Sequence, residues 1–168
     1  SRKVMGIKEP EFGYSANSIE DLLVSDNKDL SRAIKKSKDS GALIGFIGGP
    51  PCPDFSVGGK NRGNKGENGR LSQTYADLIC KEEPDWFLFE NVKGLWRTKK
   101  HRAFYEELKG QLSKKYVLTD RLTNSLEAGA PQDRDRILLF GLLKSRANSD
   151  EIELPFSDFL PFEGTAVF

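Results

Sequence analysis

Residues 42–47, which read Ala-Leu-Ile-Gly-Phe-Ile, form an unbroken apolar run that opens into Gly48, Gly49, Pro50, Pro51, Cys52 and Pro53. A run this short, bounded by glycines, suits a strand buried on both faces, the habit of parallel sheets. The turn after it is stiff, because each proline fixes φ and removes an amide donor. A cysteine is thus expected at the carboxyl end of a strand, where ligands collect in doubly wound sheets.

The rest of the chain alternates strand-like runs with amphipathic ones. Residues 4–7 read as a short strand and 19–24 as a short helical or extended piece. Asp29 caps or opens a helix through Lys38, with Leu30, Ala33 and Ile34 as its apolar stripe and Gly41 as its stop. Residues 71–81 are helical, since Leu71, Tyr75, Leu78 and Ile79 recur on one face. Residues 86–89 are a second buried strand that delivers Glu90 and Asn91, and 101–112 are helical through Phe104, Leu108 and Leu112. Residues 116–122 and 137–142 are two further strands. This order predicts an α/β domain on a largely parallel sheet. Residues 58–70, rich in glycine and nearly free of apolar side chains, read as a mobile surface loop.

Charge excludes little: 26 Lys and Arg against 25 Asp and Glu give a net charge of +1, which neither advertises nor forbids nucleic acid. Two basic runs stand out. Residues 35–38 read as a solvated helix face, and residues 97–102 (Arg-Thr-Lys-Lys-His-Arg) fit either a solvated face or an anion contact. Two cysteines and one histidine cannot build a four-ligand zinc site of Cys and His alone, so no metal is expected. No apolar stretch approaches the length of a membrane-spanning helix. Cys80 reads as a small core residue, and Trp86 and Phe89 as core side chains. Trp96 either shields a pocket or covers a helix. His101 reads as a surface or capping residue, with phosphate contact as the alternative.

The residues alone leave the chemistry open. Cys52 is either a nucleophile or an inert loop cysteine, and Glu90 would face it across one crevice. Residues 132–136 read Gln-Asp-Arg-Asp-Arg. If they are extended, Arg134 and Arg136 share one side and the aspartates the other. Paired guanidinium groups suit a base carbonyl, a phosphate or a carboxylate, whereas a self-neutralised surface cluster is the plainer alternative.

Three blocks in order, Gly-Gly-Pro-Pro-Cys52-Pro-Asp-Phe-Ser56, Glu90-Asn91-Val92 and Gln132-x-Arg134-x-Arg136, resemble signature segments of DNA cytosine-5 methyltransferases. The segment 68–71 and its helix look similar too, so the resemblance covers roughly residues 41–142. It implies a Rossmann-like S-adenosylmethionine-dependent sheet flanked by helices and incomplete at both ends. Residues 1–142 would be a partial catalytic domain, and 143–168 a tail or the start of a target-recognition region. It further implies that Cys52 attacks C6 of a flipped cytosine, that Glu90 and Arg136 hold the base with help from Arg134, and that Pro51 lines the cofactor side. Asp29 would contact the adenine end of S-adenosyl-L-methionine. Ser56, Arg70 and Gln132 would serve double-stranded DNA, Gln132 by bracing the arginine strand.

The chain departs from that pattern at Pro53, where the family has Gln, and in lacking the Phe-x-Gly-x-Gly cofactor loop, the recognition region and the C-terminal helix. A Ser1 start points to a processed or engineered terminus. An excised piece, one half of a split enzyme completed by a second polypeptide, and a degenerate relative all fit, and each predicts weak methylation by these 168 residues alone. The resemblance implies a restriction–modification setting, in a prokaryotic cytoplasm beside the nucleoid or in a eukaryotic nucleus.

Overall fold

Phe87, Phe89 and Asn91 alternate with Trp86, Leu88 and Glu90 along β2 (Trp86–Val92), so one face of this strand is buried and the other half-buried. The computed structural model describes residues 18–24, 28–51, 67–97 and 99–147. Around β2 stand β1 (Gly45–Gly48), β3 (Tyr116–Asn124) and β4 (Asp135–Leu143), in the order β1-β2-β4-β3. The helices are α1 (Ile19–Val24), α2 (Lys28–Asp39), α3 (Glu67–Glu82), α4 (Lys93–Arg97) and α5 (Lys99–Leu112). The fold is mixed α/β.

The expectation of a largely parallel sheet is corrected. β1 runs parallel to β2, but β4 is antiparallel to both β2 and β3. β3 and β4 have no crossover helix between them. A 3-10 turn over Ser125–Ala128 and a left-handed Gly129 (φ 76°) reverse the chain into a hairpin. The burial expected of residues 42–47 is also corrected: β1 covers only Gly45–Gly48, and Leu43 and Ile47 are 69% and 72% exposed. Among the described residues β1 pairs on one side only, with β2.

One face of the sheet carries the core. Tyr75, Ala76 and Ile79 of α3, Leu95 of α4, and Phe104, Tyr105, Leu108 and Leu112 of α5 pack on Phe87, Phe89, Tyr116, Ile137 and Leu139. Phe87 and Tyr116 meet edge to face at 5.0 Å, and the Tyr116 hydroxyl donates to the Pro84 carbonyl at 2.9 Å. α3 begins at Glu67, inside the expected loop, and α5 begins at Lys99, two residues before the expected helix. His101 is buried rather than superficial, because its spacing to Phe104, Tyr105 and Leu108 puts it on the apolar stripe of α5. Cys80 is half-buried against the core, where burial pushes its thiol pKa up. Trp96 packs partly against the same core, with the Arg102 guanidinium 4.9 Å over its ring.

Asp85 fastens the strand that leads to the glycine turn. Its carboxylate accepts from the Ile44 amide at 2.7 Å and from Arg146 Nε at 2.6 Å, while its carbonyl accepts from the Leu143 amide at 2.9 Å. Burial alone would raise its pKa, but the Ile44 amide and Arg146 outweigh it and hold the carboxyl below its ordinary value. Asp85→Ala should therefore cost about 1–3 kcal/mol at neutral pH, because the Ile44 amide loses its acceptor. A depressed folded-state pKa gives stability that is present above the unfolded value and lost as pH falls through the folded one. Urea denaturation should accordingly show the gap between wild type and Asp85→Ala closing in acid, below the usual aspartate pKa. A gap that is absent at neutral pH would contradict this role.

Candidate active site

The site is built where β1 ends. A Cβ on Gly48 would stand 2.5 Å from Cζ of Tyr75, and one on Gly49 would stand 2.8 Å from Oε2 of Glu90. Consecutive glycines thus let the backbone close on an aromatic ring and then on a carboxylate, approaches that a side chain would block. Tyr75 is buried, donates to the Leu88 carbonyl at 3.3 Å, and has its pKa pushed up by burial, so it stays a neutral donor. Asn91 is buried as well. Its Nδ2 makes a long hydrogen bond of 3.5 Å to the Pro50 carbonyl, and its Oδ1 accepts from the Val92 amide at 2.7 Å. The end of β2 is thereby tied to the turn after β1.

Glu90 meets Arg136 across the neighbouring strand. The β2–β4 register pairs Val92 with Arg136 and Glu90 with Leu138, which makes Glu90 and Arg136 diagonal neighbours on one face. Arg136 Nε lies 2.6 Å from Glu90 Oε1, and Arg136 Nη1 donates to the Asp135 carbonyl at 2.7 Å. The side chain of Glu90 is 40% exposed and that of Arg136 19% exposed. An ion pair this open adds little to stability. It can exchange one partner for a ligand that offers a donor edge to the carboxylate and an acceptor to the guanidinium.

The aspartates lie on the other side. Asp133 and Asp135 both accept from Asn124 Nδ2, at 2.7 and 3.0 Å, and Asp135 also pairs with Lys93 at 2.5 Å. Lys93 first, then Asn124, holds the Asp135 carboxyl below its usual range. Asp135 is thus engaged on the α4 side and leaves Arg136 to Glu90. The Arg134 side chain is exposed and makes no ion pair among the described residues, while its carbonyl accepts from Ser125.

The structure brings Glu90, Arg136 and the backbone through Pro51 together. Pro51 is exposed and lines a pocket of about 270 Å³ with Ile47, Gly48, Gly49, Tyr75 and Leu71. Arg70 is drawn elsewhere: it pairs with Glu20 of α1 at 2.6 Å. Gln132 is exposed, and no bracing contact of its side chain occurs among the described residues. Cys52, Pro53, Ser56, the side chain of Asp29, residues 4–7 and the tail from 148 lie outside the described residues. Sequence reasoning placed Tyr75 on the apolar face of its helix but not against the glycine turn, and it did not single out Lys93 or Asn124. Of the last two, Lys93 carried a signal, as the first cation after Glu90-Asn91-Val92. Among the described residues no group of three or more His, Cys, Asp or Glu is placed to hold a metal ion.

Comparison with known proteins adds a family. The family of C-5 cytosine-specific DNA methylases matches residues 14–163. The Type II methyltransferase M.NmeDI of Neisseria meningitidis serogroup C is 55% identical over 151 residues, 89% of this chain and 36% of that protein. M.FnuDI of Fusobacterium nucleatum is 31% identical over 144 residues, 85% of this chain and 40% of its own length. A solved prophage-encoded E. coli structure, assigned as a DNA modification methyltransferase, aligns with TM-score 0.56 at 25% identity, covering 82% of this chain and 36% of that one. The chain thus spans 36% and 40% of the length of these two curated relatives.

The two glycines give a test of the packing. Gly48→Ala drives a methyl group into the Tyr75 ring and should destabilise the fold by about 1–3 kcal/mol in denaturant titration. Gly49→Ala meets only the far end of Glu90 and should cost less. Equal stability of both variants and wild type would contradict these approaches.

Proposed function

Because the chain belongs to the family of C-5 cytosine-specific DNA methylases, we propose that it carries the base-side catalytic residues of a DNA cytosine-5 methyltransferase. The observation that carries this reading is the Glu90–Arg136 pair, seated against Gly49 beside the turn whose next residue after Pro51 is Cys52. A cytosine flipped from the duplex presents an acceptor at O2, an acceptor at N3 and an exocyclic amine. Arg136 donates to O2 and Glu90 engages N3 and the exocyclic amine, so the base replaces their mutual ion pair. Arg134 adds positive potential, which favours the Cys52 thiolate.

The thiolate forms a bond to C6, and the ring electrons shift to C5, where Glu90 and Arg136 stabilise the charge that develops. Once C5 carries its new methyl group, loss of the C5 proton and elimination of Cys52 restore the ring. S-adenosyl-L-methionine, when bound, supplies an electrophilic methyl group. The mainly apolar pocket at Pro51, with its glycine backbone, fits the methyl-bearing end of that group. The reading of the DNA sequence is assigned to a target-recognition region or to a second polypeptide. The tail from 143 would lead toward the recognition region, and the setting would be DNA modification in a prokaryotic cytoplasm.

Trapping on duplexes that contain 5-fluorocytosine tests the reading, because fluorine blocks the elimination. The protein that contains this chain, given cofactor and a random-sequence duplex pool, should form a covalent adduct, and Cys52→Ser should form none. Glu90→Gln should slow methyl transfer about a hundredfold or more while leaving DNA affinity near wild type. An adduct that survives Cys52→Ser would overturn the assignment.

A further inference from the structure

Backbone pairing between β2 and β4 stops at the site. The last bridged pair is Val92 with Arg136, and β2 gives way to α4 at Lys93. Continuing the antiparallel register by one position would set Lys93 opposite Asp135. The ladder does not extend that far, yet the side chains meet there, with Lys93 Nζ 2.5 Å from Asp135 Oδ2. β3 ends at the same level, where Asn124 pairs with Asp135. Asn124 Nδ2 donates to Asp135 at 3.0 Å and to Asp133 at 2.7 Å. The Asp135 carboxylate thus joins the exit of β2, the end of β3 and the start of β4.

This clamp lies on the face opposite the Glu90–Arg136 pair, because side chains alternate along β4. Its hold reaches the pair through the backbone. Arg136 Nη1 donates to the Asp135 carbonyl at 2.7 Å while Arg136 Nε meets Glu90 at 2.6 Å. Residue 135 is therefore gripped by its side chain from one face and supports Arg136 on the other. β2 and β4 carry a side-chain tie on each face at this end. A ligand that takes Glu90 and Arg136 breaks one of them. The Lys93–Asp135 tie then remains, and with it the carbonyl on which the guanidinium rests.

Folding gains little from the clamp, since the Lys93 and Asp135 side chains are 33% and 32% exposed. Leu95, fully buried, seats α4 in the core and holds the Lys93 backbone from behind. Rigid support of this kind suits a group that must keep its aim as a ligand arrives. We propose that Lys93, with Asn124, is a positioning residue for methyl transfer: by fixing Asp135 it keeps Arg136 aimed at the base once the Glu90–Arg136 ion pair has opened. The inference rests on the function proposed above, since it takes the ligand at that pair to be a cytosine.

Single-turnover methyl transfer and duplex affinity, measured on the protein that contains this chain, test it. Lys93→Met keeps the apolar stem and removes the cation. It should slow transfer about tenfold, because a displacement near 1 Å at a reacting group can cost about a hundredfold. Its Kd for duplex DNA should stay near wild type, as neither Lys93 nor Asn124 touches the base. Lys93→Arg restores the tie and should recover the rate, and urea midpoints of both variants should match wild type. In an Arg136→Lys background, Lys93→Met should cost little more, since the clamp acts through Arg136. A wild-type rate in Lys93→Met would overturn the inference, while a wild-type adduct at Cys52 would leave the proposed function standing. A slower rate that Lys93→Arg does not recover, or that comes with a lower urea midpoint, would also overturn it. So would an equal loss in the Arg136→Lys background. Wild-type protein that forms no adduct would overturn both readings.

Discussion

The antiparallel register between β2 and β4 is the constraint on which the site depends. It sets Val92 opposite Arg136 and so brings Arg136 diagonally to Glu90. A slip of one residue would move Arg136 to the opposite face and expose Ile137 and Leu139, both 1% exposed in this register. The core therefore enforces the alignment that the chemistry uses.

Stability and site pull apart at the end of β1. Gly48 and Gly49 forgo side-chain packing so that Tyr75 and Glu90 can approach the backbone. The Glu90–Arg136 pair is half-exposed and therefore a weak contributor to folding. Asp85 and Asn91 offset this looseness: one fixes the start of β1 through Ile44, and the other ties the turn through Pro50. Polar groups that are buried and satisfied thus hold the two ends of β1, while the pair beside its exit is neither fully buried nor committed to its partner. That difference separates scaffold from site more clearly than charge does.

Much of this was legible in the sequence. The strands of β2, β3 and β4 and the helices α3 and α5 follow from apolar periodicity, and the Glu90 and Arg136 blocks fall at strand ends as expected. Strand direction was not legible, because apolar runs such as Ile137 to Phe140 look alike in parallel and antiparallel pairs. The hairpin signal lay in Gly129 and Pro131, whose meaning depends on how β3 and β4 pair. His101 was misplaced because its basic neighbours outweighed its three-residue spacing to Phe104. The closeness of Gly49 to Glu90 is a tertiary contact between residues 41 positions apart (90 − 49), and no local pattern encodes it.

The central claim is that Glu90 and Arg136 act together on one base. The most direct measurement is a double-mutant cycle on methyl transfer, comparing kcat/KM for Glu90→Gln, Arg136→Lys and the combined variant in the protein that contains this chain. Two groups that hold the same ring should show strong coupling, with the double variant losing little more than the worse single one, a coupling energy above about 1 kcal/mol. Losses that simply add would contradict a shared base and reduce the pair to two independent surface charges.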